Sequence, residues 1–186
     1  MGENIITKGK ALIAEPFMFD STFGRSVICI CEHDAEDGTV GFVINKKTPY
    51  KISQLIEEIN DFEAPTFFGG PVSPGTLHYL HNVGDLLDGS IQIKPGIFWG
   101  GHFEKLIFLI NSELIKPSNI KFFLGYSGWE AGQLDEELIH GSWIVDDIDP
   151  NYIFKTKPRK LWSQILSNKG NTYSVIAQMP NSTRIN

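Results

Sequence analysis

Residues Ile120–Trp143 read IKFFLGYSGWEAGQLDEELIHGSW. Ile120, Phe122, Phe123 and Leu124 form an apolar run bounded by turn residues, the pattern of a strand buried on both faces. Gly125 and Gly128 then bracket Tyr126 and Ser127. Glycine permits positive φ or close backbone approach, so a sharp turn is expected there. From Glu130 to Ile139, Leu134, Leu138 and Ile139 are expected on one face and Asp135 and Glu136 on another, which predicts an amphipathic helix. The acidic residues at its start suit the positive end of the helix dipole. Gly141 stands where a left-handed C-terminal cap is wanted, and Ser142–Val145 resumes as a strand.

Two readings of this turn compete. In one, free N–H groups at the helix start hold an anion or a partner's carboxylate, flanked by Tyr126, Ser127, Trp129 and Gln133. In the other, the glycines only shape the turn, Trp129 fills the core and Gln133 satisfies loop carbonyls. The acidic run Asp135, Glu136 and Glu137 would repel an anion and favours the second.

Outward from this stretch the pattern is mixed α and β. Lys10–Glu15 and Arg25–Glu32 read as strands, and a hairpin at Asp37-Gly38 leads into a third, Thr39–Asn45. Thr48–Ile59 reads as a short helix with Ile52, Leu55, Ile56 and Ile59 as its apolar stripe. Gly69-Gly70-Pro71 demands a tight loop that can lie against another backbone. Leu77–His81 and Ile91–Ile93 look like short strands, and Pro95–Gly101 like a glycine turn. A helix is expected over Phe103–Ile110, with Phe103, Leu106, Ile107 and Ile110 inward. Downstream follow an acidic turn (Asp146–Phe154) and a helix over Pro158–Leu166 with Leu161, Trp162, Ile165 and Leu166 inward. A last strand over Tyr173–Gln178 and a tail over 180–186 complete the expectation.

A chain of 186 residues with 41% hydrophobic content fits one domain, residues 1–186, with a sizeable core. No apolar run approaches the roughly 18 residues needed to span a bilayer. The N-terminal MGENIITKGK has no apolar signal region. Cys29 and Cys31, two apart on a strand, share one face and read as small buried hydrophobes. These features set the expectation of a cytoplasmic protein that does not enter membranes. The net charge of −6 is unevenly spread: residues 1–149 carry −12, and residues 150–186 contain no acid and six bases. That basic segment either docks on the acidic body of its own chain or contacts a polyanion through Lys155, Lys157, Arg159 and Lys160.

Catalytic motifs are sparse. There is no P-loop, dinucleotide fingerprint, HExxH or nucleophile elbow. His78 and His81 would face opposite sides of a strand. His33 lies between Glu32 and Asp34, where it can act in acid–base chemistry or ligate a metal, or be a solvated structural residue. The expectation is that the chain carries no cofactor and no metal.

The residues also carry a resemblance. Gly9, Leu12-Ile13-Ala14, Pro16, Asp20, Phe23, Arg25-Ser26-Val27-Ile28 and Glu32-His33 are followed by Gly41, Val43 and Asn45. Gly69-Gly70-Pro71-Val72 comes next, then Gly125-Tyr126, Gly128-Trp129, Gly132-Gln133-Leu134, Glu137 and Trp143, and finally Trp162, Pro180 and Asn186. This ordered set, nearly end to end, resembles the YqgE/AlgH family of bacterial proteins. The resemblance implies an α+β fold: a bifurcated, mostly antiparallel β-sheet curled into a pseudo-barrel and flanked by helices. It also implies a cytosolic protein without an established enzymatic activity, of a family whose members are labelled transcriptional regulators. It supplies no catalytic residues. The stretch 73–81 does not align with the family pattern residue by residue.

Three functions follow as expectations. The first is a binding or regulatory protein acting on an unidentified protein or small ligand. Its contact loops would include Glu32, His33, Gly69, Gly70, Pro71, Gly125, Tyr126, Gly128, Trp129 and Gln133. The second is a hydrolase-like enzyme using Glu32 and His33. The third is direct nucleic-acid binding through the basic segment, against which the acidic body argues.

Overall fold

β9 (Ile120–Trp129) is the strand on which the sheet divides. In the computed structural model, which describes residues 6–59 and 61–180, its first half pairs on one side with β5 (Pro65–Phe68) and on the other with β6 (Val72–His81). Its second half, Ser127–Trp129, leaves β5 and pairs with β3 (Gly38–Val43). The apolar run predicts the first half correctly. The expected turn at Gly125 is instead a bend inside one ten-residue strand. Gly125 takes φ +68, so the chain changes direction without losing its ladder.

The fork needs backbone-to-backbone contact. Gly69 N–H donates to Leu124 O (2.9 Å), Val43 N–H donates to Gly69 O (2.9 Å), and Ser127 Oγ donates to the same carbonyl (3.0 Å). A Cβ on Gly69 would lie 2.3 Å from Gly125 O, and one on Gly70 2.2 Å from the Tyr126 carbonyl. The tight loop expected at Gly69-Gly70 is therefore the seam where two strand systems share β9.

The remaining strands extend the two arms. β1 (Lys10–Ala14), β2 (Val27–Asp34) and β10 (Trp143–Asp147) continue beyond β3, giving the order β10-β1-β2-β3-β9. On the other arm β6 meets β8 (Ile97–Trp99), which meets β7 (Ile91–Lys94). β4 (Lys47–Lys51) lies outside β5. All these pairings are antiparallel except β5 with β9. The result is the α+β, mostly antiparallel curled sheet implied by the resemblance.

Helices cover the sheet. α1 (Phe103–Asn111) buries Leu106, Leu109 and Ile110 with Ile52, Phe62 and Phe122. α4 (Pro158–Ser167) buries the predicted Leu161, Trp162, Ile165 and Leu166 against Ala11, Ile13 and Val27. Cys29 and Cys31 are free thiols in that same core, and burial first of all pushes the Cys31 thiol up. α2 (Gln133–Ile139) covers Leu12, Ile28 and Ile30 through Leu134 and Leu138, while Ile139, expected on the same face, is exposed at the last turn. It ends at Gly141 (φ +73), with Gly141 N–H on Leu138 O and Ser142 N–H on Glu137 O, a Schellman cap as expected.

Several expectations are corrected. Thr48–Ile59 is not a helix: residues 47–51 form β4 against β5, because Thr48 bonds Thr66 across the pair and Ile52 N–H reaches Ala64 O. Ile52 and Ile59 are still buried and Ile56 partly so, but Leu55 is exposed, so only part of the apolar stripe holds, and it serves a strand and a 3₁₀ turn. The glycine turn at Pro95–Gly101 holds β8. α2 starts at Gln133 instead of Glu130, since Gly132 takes φ +77 and breaks the helical path. On α1, Leu109 replaces Phe103 inward, because Phe103 sits in the exposed first turn. The acidic turn ends in α3 (Pro150–Phe154), which Asp149 caps through Asn151 N–H. The last strand is instead α5 (Asn171–Ala177), folded back on α4 after Gly170. Period-2 and helical readings coincide in so short a segment, and the contact with α4 decides between them. The expected tail falls on residues 181–186, outside the described residues, except for Pro180, which is exposed.

Candidate functional site

The structure brings Gly69, Gly70, Pro71, Gly125, Tyr126 and Gly128 together at the fork, and places Glu32, His33, Trp129 and Gln133 outside it. Gly69, Gly70 and Gly125 are buried in the fork, and Pro71 and Gly128 are exposed beside it. Tyr126 is half-buried and lies edge-on to His78, with ring centroids 5.9 Å apart. Trp129 belongs to the core with Trp143 and Phe23. Glu137 orders that corner: its Oε2 accepts the indole N–H groups of Trp129 (2.9 Å) and Trp143 (2.7 Å), and its Oε1 accepts from Gln133 Nε2 (3.0 Å). Gln133 Oε1 also accepts Glu130 N–H. The polar groups of Trp129 and Gln133 are thus occupied within the chain. Removing the carboxylate with Glu137→Ala leaves two indole N–H groups unsatisfied and is expected to cost about 3 kcal/mol, measured by urea unfolding.

Glu32 and His33 sit at the end of β2, just past a bulge between Ile30 and Glu32. Glu32 is exposed, and the half-buried His33 shares a hydrogen bond between its Nδ1 and Thr39 Oγ1 at 2.8 Å. The one hydroxyl in hydrogen-bond contact with the pair is that of Thr39, which is buried in the sheet, and no third group orients His33 among the described hydrogen bonds. Among the described residues no group of three His, Cys, Asp or Glu is placed to hold a metal ion. His78 and His81 do face opposite sides: His78 packs on Phe42 and Trp99, and His81 on Phe98. Burial holds both imidazoles below the usual histidine value.

A concave feature lined by several charged residues lies elsewhere. A groove of about 470 Å³ runs between the loop 16–25 and α4. Three cations line it from three parts of the chain: Arg25, Lys46 and Arg159. Arg25 takes φ +57, a left-handed conformation unusual for a side-chain-bearing residue. Asn45 secures this strained backbone, donating from Nδ2 to Arg25 O (2.9 Å) while its Oδ1 accepts Val27 N–H (2.9 Å). The Arg25 guanidinium then lies over Trp162 at 5.0 Å and donates to Met179 O at 2.7 Å. The indole of Trp162 is itself fixed by donation to Ala14 O (2.9 Å). Lys46 donates to Thr22 O, and burial holds its ammonium below the usual lysine value, with Asp20 acting in the opposite sense.

Asp20 is the one acid in the lining, and its Oδ1 is engaged by the Thr22 and Phe23 N–H groups. Arg159 is in the first turn of α4, whose N-terminus has Pro158 and no side-chain cap, so the positive end of the helix faces the groove region. Lys155, Lys157 and Lys160 are exposed around the same helix start. Lys169 pairs with Asp146 at 2.8 Å, which ties part of the basic segment to the acidic body.

Sequence reasoning missed Arg25, Lys46, Asn45 and Trp162 as one site. Their signal was present, since Arg25, Asn45 and Trp162 are among the residues that carry the family resemblance. The separation of Arg25 from Trp162 along the chain hid the contact.

No helix among the described residues is long and apolar enough to cross a membrane. The AlgH-like family model matches residues 11–174. A UPF0301 protein of Chlorobium phaeobacteroides is 40% identical over 181 residues, covering 97% of this chain and 96% of that protein. One of Cytophaga hutchinsonii is 42% identical over 183 residues, covering 98% and 100%. Among solved structures, a Corynebacterium diphtheriae protein is similar in fold, with TM-score 0.79, 22% identity and 96% and 95% of the two chains covered. The AlgH protein from Pseudomonas aeruginosa is similar with TM-score 0.72, 26% identity and 94% of each chain covered. A family match over most of the chain, with relatives about 40% identical along nearly their whole length and solved structures of similar fold, leaves one conclusion: this chain belongs to the AlgH-like family.

Proposed function

We propose that the chain is a binding protein whose groove between α4 and the loop 16–25 takes a small phosphorylated ligand. The observation that carries this reading is the convergence of Arg25, Lys46 and Arg159 on one cavity in a protein of net charge −6. Three cations face one lining acid, Asp20, whose Oδ1 is already taken by backbone N–H groups, and that excess of positive charge favours an anion in the groove. The volume of about 470 Å³ falls in the range of small-molecule sites. Met18 and the exposed Phe19 give the groove an apolar wall for the non-phosphate part. Arg25 is held in place before any ligand arrives, which reduces the ordering cost of binding.

Calorimetric titration with pyrophosphate and with a nucleoside triphosphate tests this. Saturable one-site binding is expected, weakened about tenfold by Arg159→Gln, the loss of about one charge-assisted contact. Arg159 is exposed on a helix surface, so the variant keeps its fold. No binding, or the same affinity in the variant, overturns the reading. A short DNA duplex added to the same series covers the polyanion reading. Tight binding to it with a steep salt dependence would move the site to Lys155, Lys157, Arg159 and Lys160.

A further inference from the structure

Lys121 has an unusual place in β9. Its position alternates with Phe122 and matches Phe123, so it lies on the inward face and is only 7% exposed. Its Nζ donates to Ile44 O at 3.1 Å and rests 4.1 Å from the centre of the Phe67 ring. No carboxylate pairs with it among the described residues. A lysine on a core face without a counter-ion destabilises the fold, and nothing in the sheet pairing requires it there. It lines a second cleft, of about 150 Å³, separate from the anion groove except for their shared neighbour Pro158.

We propose that Lys121 is a nucleophilic amine that captures a small 2-oxo acid as an imine in this cleft. The cleft joins β4, β5, β9 and the α3–α4 junction. Lys47 supplies the second cation there and pairs with the carboxylate of the ligand. The other walls, among them Phe67, Ser118, Phe154, Thr156 and Pro158, carry no titratable group. A cleft of about 150 Å³ admits a molecule of a few carbons. An amine in an apolar site beside another cation is the arrangement that activates lysine for carbonyl chemistry. Burial, and after it the Lys47 charge, pushes the Lys121 ammonium down from 10.5 to about 7, so near neutral pH a large share of it is the free amine.

The chemistry balances without another reactant. The amine lone pair adds to the keto carbon, and the carbonyl π pair moves to oxygen. That oxygen leaves as water with the two amine protons, and a C=N bond remains.

The test uses the full chain, pyruvate as probe and cyanoborohydride to trap the imine, with peptide mapping across a pH series. Lys121 is expected to be the most modified lysine at pH 7, with half-maximal labelling near that pH, while exposed lysines need more alkaline solution. Lys47→Gln is expected to raise the labelling midpoint of Lys121 while lowering the pyruvate yield, because a like charge and a carboxylate partner go together. Labelling of Lys121 no faster than that of exposed lysines at pH 7, or an unchanged midpoint in Lys47→Gln, overturns the proposal. Neither outcome touches the anion groove, whose ligands and residues are different.

Discussion

Replacing Gly125 with alanine is expected to remove about 4 kcal/mol of stability, enough to unfold much of the population of a domain of ordinary stability. Two causes act together. Gly125 takes φ +68, and an L side chain held there costs about 1–3 kcal/mol. The added Cβ would also lie 2.5 Å from Gly70 O and 2.8 Å from Val72 O. Both are backbone atoms and neither can rotate away, so the strands must separate, at about 1–3 kcal/mol. Gly75→Ala is the control, since nothing lies within 4 Å of its added Cβ. Urea unfolding of the two variants should show a large loss for the first and little change for the second. A small effect at Gly125 would mean that the fork does not depend on this close approach.

Lys121→Met is expected to stabilise the protein most in acid and least in base. The ammonium titrates near 7 in the folded chain and near 10.5 when unfolded, so the unfolded state holds the proton more tightly. Stability linked to this residue is therefore complete above about pH 10.5 and declines as pH falls, by about 1.4 kcal/mol per pH unit, until about pH 7. Below that the wild type bears the full penalty of a buried charge, on the order of 5 kcal/mol. Methionine fills the same space without charge. The gap between the two proteins, measured by chemical denaturation from pH 6 to pH 10, should be level up to about pH 7 and shrink as pH rises beyond it. A gap of constant size would show that Lys121 titrates normally and would weaken the case for a reactive amine.

Local pattern carried the strands and helices wherever burial and periodicity agreed. The apolar run Ile120–Leu124, the alternation in Val27–Cys31 and the stripe of Leu161, Trp162, Ile165 and Leu166 all appear in the structure as read. It failed where tertiary contact decides. Ile52 and Ile59 keep a helical spacing yet flank a strand, because β5 offers residues 47–51 a partner. Tyr126–Trp129 looked like a turn because the glycines beside it are also what a strand needs to bend across a seam. The forked topology came from the family resemblance, since no local signal says that β3 and β5 share β9.

The candidate site was less legible still. Loop glycines drew attention to the fork, where they serve packing. Arg25 reads as the start of a strand and Arg159 as one cation in a basic run, and Lys46, just past the strand Thr39–Asn45, carries no local signal. Only folding brings them to one groove, because Asn45 clamps Arg25 and Trp162 carries its guanidinium. Lys121 was invisible for the opposite reason. It is a lone cation in an apolar run, and sequence alone does not tell whether it points to water or into the core.

The most direct test of the proposed function is a residue-resolved NMR titration of the labelled chain with pyrophosphate. Binding in the groove predicts that shifts move together, with one dissociation constant, at Ser21–Arg25, Asn45-Lys46 and Arg159–Ser163, and little at Glu32, His33 or Gly69–Val72. Shifts confined to Lys155–Lys160, or none at a saturating concentration, would contradict it.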